Sequence, residues 1–202
     1  MAVEHSTLTG ASLHEPKGVA AAAANRVYVS DGAGSGSWAQ IGASVLTTAA
    51  QPFSAQLLHV VDQKSSSDGG TFTAGSLQTR TLNTVKTNEI TGASLAANTI
   101  TLPAGTYWVE ASAPALLVNE HQAYWYNSTD NSTVLIGTAE YSNSTGQYAQ
   151  TRSFIRGRFT IASGKDFQLK HWCVTTRAGN GFGEGSAWGT SIYADVAIWK
   201  IA

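Results

Sequence analysis

The sequence predicts an all-β fold, a sandwich or barrel with Greek-key connections, preceded by an extended arm. Three observations carry this. From Phe53 onward apolar residues alternate with period two, the pattern of half-buried strands. The turn-rich segments NSTDNST, SNSTGQ, ASGKD and RAGNGFGEG punctuate those runs at short intervals, with no helical period between them, as in a sandwich or barrel. Charged residues make up only 12% of the 202, about half the roughly 25% of an ordinary soluble domain. Gly, Ser, Thr and Asn take their place, and these favour turns and strands over long helices.

The arm, residues 1–50, is rich in small residues and holds few large apolar ones. It buries too little apolar surface to offset its own ordering entropy. Its order is expected to come from the following domain or from a neighbouring molecule. Within it lies HEPKGVAAAAANRVYVSDGAGSGSWAQIG. The alanine run from Ala20 to Ala24 allows one or two turns of helix, marginal in isolation. The GAGSG that follows has the spacing G-x-G-x-G and leads into SWAQIG, another strand. A dinucleotide loop needs G-x-G-x-x-G opening a helix. A hairpin, RVYVS turning through DGAGSG into SWAQI, accounts for Gly32, Gly34 and Gly36 with no cofactor.

The domain, residues 51–202, begins its strands in SAQLLHVVDQK, where Leu57, His59 and Val61 alternate with Leu58, Val60 and Asp62. ITLPAGTYWVEASA places Ile100 and Leu102 before a break at Pro103-Ala104-Gly105. Beyond it Tyr107, Val109 and Ala111 share one face, and Trp108, Glu110 and Ser112 the other. Further strands are read in HQAYWYN, TVLIGTAEY, TRSFIRGRFTI, DFQLKHWCVTT and SIYADVAIWKIA. In SFIRGRFTI, Ile155, Phe159 and Ile161 oppose Phe154, Arg156 and Arg158. In the last strand Ala194, Val196 and Ile198 form an inner row, and Tyr193, Asp195, Trp199 and Ile201 an outer one. Large aromatics on an outer face are either covered by loops or form a subunit interface, where Trp and Tyr are enriched.

Several function classes are disfavoured. A net charge of −1 gives no excess of cations for phosphates, so no nucleic-acid partner is expected. No apolar run approaches the roughly 20 residues that cross a bilayer, and MAVEHSTLTG lacks a basic-then-apolar leader pattern. Cys173 is the sole cysteine, so no internal disulfide is expected. Cys173 and His171 share a strand face with Phe167 and Leu169 and read as core members rather than a nucleophile and base. His5, His14, His59, His121 and His171 lack zinc-ligand spacing, and the carboxylates are scattered. No catalytic, cofactor or metal site is expected, and an enzyme is the most distant reading. The sequons at Asn127, Asn131 and Asn143 read as polar loop tips. Tyr124, Trp125, Tyr126, Tyr141 and Tyr148 are candidate stacking platforms for a glycan, although Trp125 must face opposite to its neighbours.

The order ITLPAGTYWVEASAPA, FTIASGKDFQLKHWC, a Gly-rich loop and GTSIYADVAIWKI resembles the trimeric domains of the complement-like and tumour-necrosis-factor-like superfamily, as these occur in bacteriophage virion proteins. The resemblance covers about residues 53–202. It implies a jelly-roll β-sandwich, here preceded by an extended N-terminal arm with a short β-hairpin, that trimerises through apolar strand faces. Phe154, Tyr193, Trp199 and Ile201 are the interface candidates. The stretch HEPKGVAAAAANRVYVSDGAGSGSW resembles a segment near the N-termini of phage head-fibre, decoration and tail-fibre proteins. That implies an attachment arm, with His14, Glu15, Pro16, Lys17, Gly18, Val27, Tyr28, Val29 and Trp38 as its contacts. The expected partners are two further copies of the chain and the major capsid protein or another virion protein. The expected place is the capsid surface, as a decoration protein or head fibre. A tail-fibre tip that recognises host-surface carbohydrate is the alternative, disfavoured by the lack of heptads or repeats for a shaft.

Overall fold

In the computed structural model the described residues are 22–23, 26–31, 33, 36–40, 56–145 and 148–201. They fall into two units, divided between Gln51 and Pro52. Of the expected arm contacts, His14, Glu15, Pro16, Lys17 and Gly18 lie outside the described residues, as does most of the alanine run.

The first unit contains the expected hairpin. Strand β1 (Arg26–Ser30) pairs antiparallel with β2 (Gly36–Gln40). Tyr28 faces Trp38 in register, and their rings meet edge to face at 5.5 Å. Arg26 Nη1 donates to Trp38 O at 3.2 Å. At the turn Asp31 Oδ1 accepts from the Ala33 amide at 2.8 Å, an Asx-type closure.

The second unit is all antiparallel β. Its strands are β3 (Leu57–Ser65), β4 (Gln78–Thr79), β5 (Thr84–Asn88), β6 (Ser94–Ala96), β7 (Thr99–Leu102), β8 (Gly105–Leu116), β9 (Asn119–Asn127), β10 (Ser132–Ser142), β11 (Gln150–Ile161), β12 (Lys165–Cys173) and β13 (Thr190–Lys200). Sheet I has the order β11-β8-β13-β3-β5. Sheet II has the order β10-β9-β12-β7-β6, with β4 added beside β12. The pairings nest: β9 with β10, β8 with β11, β7 with β12 and β3 with β13. The domain is thus one long hairpin rolled up so that successive nested pairs alternate between sheets. That is the jelly roll the family resemblance implies.

The core is built by the predicted alternation. Leu58, Val60, Tyr107, Val109, Val196 and Ile198 of sheet I meet Ile100, Leu102, Trp125, Phe167 and Leu169 of sheet II, all fully buried. The Tyr107 hydroxyl, trapped inside, donates to Pro103 O at 2.7 Å, and its ring stacks on Phe159 at 5.4 Å.

Alternation fails in β13. Ile192 is paired with Gln63 and Asp195 with Val61, so Tyr193 and Ala194 together oppose Asp62. A bulge of this kind shifts the face on which following residues point. Tyr193 and Ala194 are consequently both buried.

Candidate functional site

The outer face of sheet I carries a row that crosses four strands. Arg158 pairs with Trp108, Trp108 with Trp199, and Trp199 with Leu57. Both tryptophans and Leu57 are half-buried. The next row is polar: Arg156 reaches Glu110 at 4.0 Å, and Trp108 Nε1 donates to Glu110 Oε1 at 3.3 Å. Beyond it Phe154 is 44% exposed, with the Arg156 guanidinium over its ring at 5.9 Å. His59 Nε2 and Asp195 Oδ1 are 3.1 Å apart on the same face.

Of the four interface candidates, Phe154 and Trp199 retain open surface on sheet I, and Ile201, just past the end of β13, is half-buried. The fourth is buried. Tyr193 is 1% exposed, turned inward by the β13 bulge, and its hydroxyl donates to Ser67 O at 2.7 Å. Trp108, which the alternation placed outward, belongs to the face although it was not among the candidates.

The outer face of sheet II holds an open groove of about 700 Å³ lined by Leu77, Glu120, Tyr124, Glu140, Tyr141 and Trp172. Strand register creates it. Glu120 pairs with Tyr141 and Tyr124 with Ile136 on β10, while Trp172 pairs with Gln122 on β12. Two irregularities in β10, at Thr133/Leu135 and Ile136/Ala139, bend that strand and hollow the face.

The five aromatics singled out from sequence separate here. Tyr124 and Tyr141 come together in the groove. Tyr126 lies farther along β9, with Lys170 Nζ over its ring at 4.3 Å. Tyr148 donates to Glu184 and accepts from Asn180 Nδ2 at 3.1 Å, away from the groove. Trp125 is fully buried and stacks on Phe167 at 5.3 Å and 4°. It is a core residue and is corrected as a glycan contact: the strand alternation that exposes Tyr124 and Tyr126 sends Trp125 inward. Asn127 is likewise buried at the end of β9, bonded to Asp130, and is no loop tip. Trp172 and Leu77 were not singled out from the sequence. Neither was Trp188, 92% exposed in the glycine-rich loop.

Between the sheets lies a polar chain with no counterpart in the sequence reading. Arg80 is fully buried. Its Nη1 donates to Pro114 O at 3.0 Å and lies 3.4 Å from His171 Nδ1, and its Nη2 donates to Phe182 O at 2.9 Å. The guanidinium also sits over the Phe182 ring at 4.0 Å. Burial lowers its pKa to about 9, so it remains a cation at neutral pH. Burial and then the Arg80 charge hold His121 down at about 4. Burial, Arg80 and His121 hold His171 well below 6.5. Cys173, buried beside them, has its thiol pushed up to about 11 by burial, and a protonated thiol is a poor nucleophile. Among the described residues no cluster of three or more His, Cys, Asp or Glu side chains is placed to hold a metal.

Solved structures similar to the chain include murine APRIL at pH 5.0, at 12% identity over 72% of this chain and 98% of that one, with a TM-score of 0.48. The globular domain of zebrafish complement 1qA protein aligns at 11% identity over 73% and 97%, also with a TM-score of 0.48. Murine APRIL at pH 8.5 aligns at 10% identity over 72% and 98%, with a TM-score of 0.40. No protein-family profile matches the chain, and no curated protein matches it.

Proposed function

We propose that the chain is a structural protein of a bacteriophage virion, a capsid decoration protein or head fibre. Its N-terminal arm joins the particle, and its jelly roll stands on the surface as a homotrimer. The observation that carries the assembly is the row Leu57, Trp199 and Trp108 across the outer face of sheet I, with Phe154 exposed on the far side of the Arg156–Glu110 row. The tryptophan row, ended by Arg158 and bordered along one side by Arg156 and Glu110, has the apolar centre and polar edge of a subunit interface. The hairpin supports the attachment role. A two-stranded hairpin is marginal by itself, so Val27, Tyr28, Val29 and Trp38 gain stability by docking on a partner. The likeness of residues 14–38 to arms of phage surface proteins gives that partner its class: a capsid protein.

Two measurements test this. Light scattering should give the mass of three chains, and Trp199→Asp should give one. Mass spectrometry of purified virions should find copies comparable to those of the major capsid protein, and deletion of residues 1–42 should leave a folded trimer that no longer joins the particle. A monomer at working concentration would refute the assembly. A truncated chain that still decorates virions would refute the arm. A few copies per particle would move the protein to the tail and favour the receptor-binding alternative.

A further inference from the structure

We propose that the groove on the outer face of sheet II binds a neutral glycan, with Trp172, Tyr124 and Tyr141 as stacking platforms and Glu120 and Glu140 as hydroxyl acceptors. The site lies on the sheet opposite to the proposed subunit interface, and it requires neither the trimer nor the virion.

The shape and spacing fit an oligosaccharide. At about 700 Å³ the groove is within the range of small-ligand sites, roughly 300–1,000 Å³. Tyr124 pairs with Lys170, so Trp172 is its diagonal neighbour on β12, about 7–8 Å away. Tyr141 lies on the other flank of β9, opposite Glu120. The three rings make no ring–ring contact with one another among the described residues. They form a broken strip rather than a closed cage, which suits a chain of sugar rings better than a compact quaternary ammonium ion.

One platform is held in place before any ligand arrives. The Tyr124 hydroxyl donates to Gln122 Oε1 at 2.8 Å, and Gln122 Nε2 donates to Gly137 O at 2.8 Å. A side chain fixed in this way loses little freedom on binding. His121 also lines the groove, but both its ring nitrogens are engaged, at 3.0 Å by His171 and at 2.8 Å by Thr151.

Charge selects the ligand class. The titratable lining groups are Glu120, Glu140, His121, Tyr124 and Tyr141, with no lysine or arginine. The nearby Lys170 ammonium is engaged over the Tyr126 ring. Two carboxylates accept hydrogen bonds from sugar hydroxyls, and they repel uronic or sialic acids. The apolar ring faces supply the remaining contact to sugar C–H surfaces.

The full chain is tested on an array of neutral and acidic bacterial-surface oligosaccharides, with phosphocholine as a separate probe. The strongest glycan is then titrated calorimetrically against wild type, Trp172→Ala, Tyr141→Ala and the control Trp188→Ala. Neutral glycans should bind. Trp172→Ala and Tyr141→Ala should each weaken the strongest by about tenfold, a factor equivalent to ~1.4 kcal/mol, and Trp188→Ala should leave it unchanged. Tyr141 is 55% exposed, so its truncation reads out binding even if Trp172→Ala folds poorly. Absence of any glycan binder, binding of acidic glycans or phosphocholine alone, or full affinity in Tyr141→Ala together with a folded Trp172→Ala would overturn the proposal.

Discussion

His121 Nδ1 lies 3.0 Å from His171 Nε2, and this contact fixes the tautomer of both rings. Arg80 Nη1 has only protons to offer, so His171 Nδ1 must accept from it. His171 therefore carries its proton on Nε2 and donates to His121 Nδ1. His121 in turn carries its proton on Nε2 and donates to Thr151 Oγ1 at 2.8 Å. The Thr151 hydroxyl passes its own proton towards Tyr141 O at 3.3 Å. One direction of donation runs from a buried guanidinium to the backbone of a groove residue. Each ring must be neutral for the chain to hold.

Acid should weaken the folded domain through these two histidines once the pH falls below their ordinary range. Both histidines titrate below their ordinary 6.5 in the folded protein, His121 at about 4. Between those values the unfolded state binds protons that the folded state refuses, so stability falls as pH drops. The contribution is fully present above about pH 6.5. For His121 alone the loss approaches about 3 kcal/mol by pH 4. Urea unfolding from pH 8 to pH 4 should show a level midpoint above pH 7 and a decline below 6.5. His121→Asn should take up about one proton fewer on unfolding in this window. An identical slope in the variant would exclude the histidine as the source.

Removing Arg80 should be costly even though it removes a buried charge. Arg80→Met leaves Pro114 O, Phe182 O and His171 Nδ1 without their donor, and each buried orphan costs about 1–3 kcal/mol. The relief of the guanidinium's desolvation offsets part of this. We expect a net loss of about 3 kcal/mol in guanidinium unfolding. Arg80→Lys should recover little, because one ammonium cannot span two carbonyls set apart for a planar fork. The His121 resonance should titrate above its wild-type value of about 4 in Arg80→Met, since the neighbouring positive charge is gone. A stability change under about 1 kcal/mol would mean that water replaces the guanidinium.

Much of the fold was readable because strand alternation is local. Tyr107, Val109 and Ala111 point inward as their parity requires, and Phe154 and Trp199 keep open surface as theirs does. Parity failed at Tyr193, where the bulge against Asp62 depends on the register of two strands more than 120 residues apart. The groove was half legible. Tyr124 and Tyr141 stood out by density, whereas Trp172 joins them only through the pairing of β9 with β12. Arg80 left no local signal. Its neighbour Thr79 sits on the two-residue strand β4, and the pairing of β4 with β12, extended by the Arg80 amide donating to Leu169 O at 2.8 Å, brings the guanidinium between the sheets.

The glycine-rich loop that closes one end of the sandwich should tolerate no side chain at Gly183. Its φ is +123°, a region that L residues rarely adopt. The first side-chain carbon there would lie 2.8 Å from Tyr193 Cδ1 and 3.2 Å from Pro114 Cγ. Tyr193 cannot retreat, because its hydroxyl is bonded to Ser67 O and Lys64 Nζ sits over its ring at 4.9 Å. The Gly183 carbonyl also accepts from the Gly69 amide at 2.8 Å, so a backbone shift would break the tie between the two loops. Gly183→Ala therefore combines backbone strain with overpacking, together about 2–4 kcal/mol. Gly179, with φ +78° but open space around it, supplies the comparison: Gly179→Ala bears the backbone term alone, about 1 kcal/mol. Thermal unfolding of the two variants separates packing from backbone strain. Equal losses would show that the loop lifts away from Tyr193 at little cost.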